Sequence, residues 1–311
     1  MGFLKNKLGT SEINYNEVPL NIRLRPYFIV LPGMLILIGI MIPFITAIWL
    51  SLTDATFRVP MDRWRFIGFG QWRNMFTNPN FLHTVSVTLR YAISATTVQL
   101  LLGMGLAFLL HKDSRYTRVL KVLFMFPLMV APVIAVLIWQ LMLSNSIGIV
   151  ERLLNVFGIF NFPWASAPQT AMMTVVFIDT WVNTPFMMLL ILAGINSLPK
   201  SPFEAAQVDG ASSWFTFRKL VLPMLKPFIL IAVLFRAMAS LQEFGIIFAT
   251  TGGGPGNTLM GISITSYLTA FTFQRLASAM PYLLTLWVFI NIVANVIVRA
   301  QRKSAKEAAG L

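Results

Sequence analysis

A handful of polar side chains stand inside long apolar stretches: Asp179 and Asn183, four residues apart, then Arg236, Ser240 and Glu243 at helical spacing, with Gln242 beside the last. Within a bilayer such groups are costly, so each marks either a buried pair or a solute path. Asp179 and Arg236, of opposite charge, form the natural pair. Other chemistry is thin. His83 and His111 are the only histidines, neither lies in an H-E-x-x-H helix, and neither has a second ligand at metal spacing. With no cysteine, disulfides, thiolate metal sites and cysteine nucleophiles are excluded. The glycine-rich TGGGPGNT of residues 251–258 invites a phosphate-loop reading. It fails, because no lysine follows the glycines to reach a phosphate; the segment is read as a turn. Nothing here predicts an enzyme.

The elements that must position these groups follow from composition. The chain has 311 residues, 57% hydrophobic and 11% charged, which places it among integral membrane proteins. A bilayer core needs roughly 20 mostly apolar residues per helix. Six stretches meet that length, near 27–50, 84–110, 119–143, 170–193, 226–250 and 278–299. The predicted fold is an all-α integral membrane protein of six transmembrane helices, the first packing peripherally, with interfacial helices in 56–80 and 146–165. Asn291 and Asn295 on the sixth span are expected to hydrogen-bond between helices.

The net charge of +13 is placed by topology rather than by a nucleic-acid partner. Four basic residues each fall in the amino tail, the 112–121 link, the loop around 200–226 and the carboxyl-terminal stretch 299–306. Sixteen of the 24 lysines and arginines then face one side, read as cytoplasmic, with both ends inside. The expected organisation is a cytoplasmic amino tail over 1–26, a membrane domain over 27–300 and a cytoplasmic carboxyl tail over 301–311.

One inner loop, about 194–224, is more than a connector. It contains SPFEAAQVDGASSWFTFRKLVLP, residues 201–223. Ser201 as N-cap, Pro202 at the first helical position and Glu204 three residues after the cap have the form of a capping box. Gly210 supplies the left-handed turn that ends the helix. Ser212 or Ser213 caps a second short helix, expected to stop at Pro223.

Glu204-Ala205-Ala206, three residues, Gly210, nine residues, then Leu220-Val221-Leu222-Pro223 resembles the EAA loop of binding-protein-dependent ABC importer permeases. Pro127, the Trp181 to Pro185 region, Gln242-Glu243-Phe244 and the glycine-rich turn are similar to the carbohydrate branch, the maltose-transporter type. The resemblance implies that the loop, including Asp209, is a coupling helix seated on a cytoplasmic ATPase. It implies a second homologous permease subunit in a heterodimer, two copies of the ATP-binding subunit that hold ATP and Mg, and an extracytoplasmic solute-binding protein. This chain would then bind no cofactor of its own, and would lie among lipid in a bacterial or archaeal cytoplasmic membrane.

By the same resemblance, Asn183, Phe186, Gln242 and Glu243 match positions lining the sugar site. Leu128, Pro132 and Val182 match others there but are apolar in this chain. A sugar fits the polar set physically: amides and a carboxylate take hydroxyls while Phe186 or Trp181 packs on the ring. The alternative is a stand-alone secondary transporter or channel.

Overall fold

The computed structural model describes residues 20–308, so most of the expected amino tail and the last residues of the carboxyl tail lie outside the described residues. The helices, in chain order, are α1 (Leu20–Ser51), α2 (Gly70–Thr77), α3 (Phe81–Leu110), α4 (Arg115–Met125), α5 (Pro132–Met142), α6 (Ile149–Val156) and α7 (Pro168–Asn196). They continue as α8 (Ser201–Val208), α9 (Ser213–Thr216), α10 (Leu222–Leu241), α11 (Gly245–Thr251), α12 (Ile262–Tyr267) and α13 (Leu276–Ala308). Five described helices are long and apolar enough to cross a membrane, or six if a bent pair counts as one span.

The chain divides into two units, Met1–Trp49 and Leu50–Leu311. In the first, α1 is apolar on every side from Val30 onward, as a membrane helix must be when lipid rather than water surrounds it. In the second, α3 and α7 form the central pair, with α10 packed on both and α13 on α10. Buried α3 residues recur at 84, 88, 91, 95, 99, 103 and 107, one face of a 3.6-residue period. That inward face carries Thr84, Thr88, Thr96 and Gln99, while Leu82, Ile93, Leu101 and Leu109 point outward. The inside is more polar than the outside, which suits helices that associate in lipid by packing and hydrogen bonding.

The α3–α7 approach depends on Gly103. A Cβ there would stand 2.6 Å from Met187 Cβ and 2.9 Å from the Met188 backbone nitrogen, while Gly105 has open space around it. Gly103→Ala should therefore cost about 1–3 kcal/mol by overpacking. Thermal unfolding of the purified protein checks this, with Gly105→Ala as the parental-like control; equal midpoints would refute the close-packing account.

Two expected spans are not straight. The third, read as 119–143, is α4 and α5 joined through a 3₁₀ turn at Phe126–Met129 and bent by 102°. Pro132 holds Ala131 in the extended region (φ −61, ψ 137), so the helix cannot run through. The fifth, read as 226–250, starts earlier, as part of a helical stretch Ser213–Leu241, and stops at Leu241. After a break at Gln242–Phe244 the chain resumes as α11. α2 and α6 fall in the two segments expected to hold interfacial helices. Asn291 and Asn295 donate to Trp287 and Asn291 carbonyls on their own helix rather than to another one, because each carbonyl four residues back is within 2.8 Å.

Candidate functional site

Asp179 on α7 is fully buried, and its carboxylate gathers three partners from three helices. The Arg236 guanidinium of α10 donates to Oδ2, the Gln99 amide of α3 donates to the same oxygen at 3.0 Å, and Asn183 donates to Oδ1 at 2.7 Å. Arg236 also donates through Nε to Gln99 Oε1. Ser240, one turn beyond Arg236, lies 3.4 Å from the Thr96 hydroxyl of α3. Gln99 is as buried as the aspartate, and Arg236 is buried too. A charge pair taken out of water is tolerated only when its remaining donors and acceptors are met, and here a glutamine bridges both ions. The arrangement locks α3, α7 and α10 together.

Glu243 does not join that face. The helical spacing with Arg236 and Ser240 ends at Leu241, and the carboxylate instead accepts the Ile246 backbone N–H at 2.8 Å, at the start of α11. The acid thereby meets an otherwise unpartnered amide at a helix N-terminus, where negative charge is favoured. Gln242 is exposed beside it and donates to Met238 O. It borders a recess of about 390 Å³ with Phe244, Tyr267 and Phe271. These rings form a ladder, with centroids 4.8 Å apart for Phe244–Tyr267 and 5.1 Å for Tyr267–Phe271. Phe186 is half-buried two turns along α7 from Asp179, on the same face. Trp181 lies elsewhere: it packs edge-on to Trp139 in an apolar cleft of about 1070 Å³ between α3, α4, α5 and α7.

Sequence reasoning missed Gln99 and the aromatic ladder. Gln99 offered the same signal as Asn183, a lone amide in an apolar run. The ladder offered none, because its rings come from the break before α11, from α12 and from the turn beyond it. Among the described residues no group of three or more His, Cys, Asp or Glu could hold a metal ion.

The inner loop is built differently at its start than its sequence suggests. Lys200, in a helical conformation, is the residue before α8, so Ser201 is already helical and makes no capping bond. Pro202 fits either register, which is why the capping box looked plausible. The far end is a complete Schellman motif: Ala211 N–H bonds Ala206 O at 2.9 Å, Gly210 N–H bonds Gln207 O at 3.2 Å, and Gly210 has φ +69. Asp209 closes α8, and the Ser212 hydroxyl accepts Phe215 N–H at 3.2 Å to cap α9. Pro223 does not stop the second helix. A π turn at Phe217–Val221 takes up an extra residue, and the chain passes directly into α10 with Leu222 and Pro223 in its first turn. Phe217 packs edge-on to Phe108 near the end of α3 at 5.3 Å, while Glu204, Ala205, Val208 and Trp214 remain exposed, Val208 at 88%.

Membrane-crossing helices fastened by a buried polar cluster, with a built and exposed helical loop between α7 and α10, have the architecture of a membrane transport component. Residues 99–306 match the model of the binding-protein-dependent transport system inner membrane component. The chain belongs to that family, as a multi-pass permease subunit. It is 32% identical over 260 residues to the trehalose/maltose transport system permease protein MalF of Thermococcus litoralis, covering 83% of this chain and 85% of that one. It is 31% identical over 246 residues to the trehalose transport system permease protein SugA of Mycobacterium tuberculosis, covering 78% and 76%. A solved bacterial ABC transporter involved in import of the acidic polysaccharide alginate shares the fold, with a TM-score of 0.78 at 20% identity over 91% of this chain and 97% of that one.

Proposed function

We propose that this chain is the membrane permease of an ATP-driven importer for a carbohydrate or carbohydrate-like solute handed over by an extracytoplasmic binding protein. The observation that carries the reading is the loop over α8 and α9: a capped, glycine-turned hairpin with exposed Val208 and Trp214 at its tip, in a chain of this family. Exposed apolar residues on a rigid turn are an interaction surface, and ATPase subunits holding ATP and Mg are the partner. The solute class rests on the trehalose and maltose relatives, and on a solved neighbour in complex with an alginate-bound periplasmic protein. Two ATPase copies and a second, homologous permease complete the assembly, with both ends and the loop on the cytoplasmic side of the inner membrane.

The fold suggests how force travels. α9 continues through the π turn into α10, and α8 follows α7 after a short link. Displacing the loop therefore moves the two helices that Asp179 and Arg236 tie together. Their joint motion would open the path past Gln242, Glu243, Asn183 and Phe186 to alternate sides.

The test is uptake of labelled trehalose by the reconstituted complex with its binding protein. Glu243→Ala and Asn183→Ala should each lower uptake roughly tenfold, the effect of losing one hydrogen bond to a charged or amide group. The complex should still assemble and hydrolyse ATP. Failure of the chain to co-purify with an ATPase would sink the proposal, and unchanged uptake in both variants would return those residues to helix packing.

A further inference from the structure

The end of the bundle away from the coupling loop carries a recess of about 460 Å³, within the usual range for small-ligand sites. It is bounded by α2, the first turn of α3, the turn after α11, α12 with the π turn beyond it, and the start of α13. The first turn of α3 lines it, and Phe108 near the last turn touches the loop through Phe217. A 30-residue helix is about 45 Å long, so the two features lie a membrane thickness apart.

The lining is unlike the rest of the bundle. Asn74, Asn78, Asn80 and Asn257 supply carboxamides, Phe273 and Tyr282 supply rings, and Arg275 supplies a cation, with no carboxylate among the lining residues. Part of the wall is pinned: His83 Nε2 meets Asn257 O at 2.8 Å, and Ser278 donates to Gln71 at 2.9 Å. The carboxamides of Asn74 and Asn257 hold no hydrogen bond to any described residue. Carboxamides can donate and accept at once, which matches hydroxyls; rings suit the C–H face of a pyranose; a lone arginine suits one acidic group.

The geometry points to a second solute site at this outer mouth, for a sugar-sized polyhydroxylated molecule, with Arg275 favouring one that carries a carboxylate. This rests on the import reading above and adds a station to it: the solute is held at the mouth before it enters the path beside Gln242 and Glu243.

The assembled transporter in nanodiscs, without binding protein, is titrated with glucuronate and with glucose by saturation-transfer NMR. Glucuronate should bind roughly fivefold more tightly than glucose, a difference on the scale of one exposed ion pair. Arg275→Gln should erase the difference. Asn257→Ala and Phe273→Ala, at exposed positions, should weaken both sugars at least fivefold, and Gly105→Ala, which does not line the recess and has open space around it, should leave them unchanged. The site is overturned if neither sugar binds or if binding survives all three recess variants. Binding-protein-dependent uptake that persists while the recess binds nothing would leave the import reading standing and remove only this site. Recess binding without any uptake would do the reverse.

Discussion

Arg236→Met is expected to destabilise the protein by about 3–5 kcal/mol, because it strands the buried Asp179 carboxylate without its counter-ion. The glutamine and asparagine that remain, Gln99 and Asn183, donate hydrogen bonds but no charge. The double variant Asp179→Asn with Arg236→Met should recover most of that loss, since a neutral amide keeps partners and no ion is left buried. Residual folded fraction after heating, read by fluorescence-detected size exclusion, measures both. The double variant also separates two roles for the pair. If it folds, assembles and transports, the pair only fastens helices; if it assembles but does not transport, the charges act on the solute or on its path. An Arg236→Met single variant that melts like the parent would refute the closed, mutually compensated cluster.

Gly210→Val should be the most damaging change in the inner loop, for a reason specific to backbone geometry. A Cβ at Gly210 would meet nothing within 4 Å, so crowding is not the obstacle. The obstacle is φ +69, where an L side chain costs roughly 1–2 kcal/mol, and more when β-branched. A penalty of that size leaves about a tenth of the loops correctly turned. Stimulation of ATP hydrolysis by the loaded binding protein should fall about tenfold, with membrane insertion intact because the turn lies between α8 and α9 rather than in a long apolar helix. Gly210→Asn should retain most of it, since asparagine tolerates the left-handed region. Parental stimulation and uptake in Gly210→Val would remove the coupling role from this loop.

Much was legible in the chain itself. Apolar run length located the membrane helices, since burying a backbone in lipid demands about 20 apolar residues in a row. Opposite charge inside apolar runs paired Asp179 with Arg236 in prospect, and Gly210 announced its turn because no other residue type adopts that conformation so cheaply. A serine cap at 212 or 213 was legible for a local reason, a hydroxyl just before a helix whose first amides need an acceptor, and the fold chose Ser212.

What remained was decided by contacts distant in sequence. Hydropathy reads a run such as 119–143 as continuous, because it counts apolar side chains and is blind to the direction of the backbone; the 102° bend at Pro127 to Pro132 leaves the composition unchanged. Ser201 was misplaced by one residue since Pro202 is allowed in either register, and only the conformation of Lys200 chose between them. Gln99 reaches Asp179 across 80 residues and Arg236 across 137, partnerships that no local pattern encodes. Glu243 kept its helical spacing in the sequence but lost its helix in the fold: three-dimensional packing ended α10 at Leu241, and a carboxylate two residues past that end serves the amide of the next helix instead of the ion pair below it.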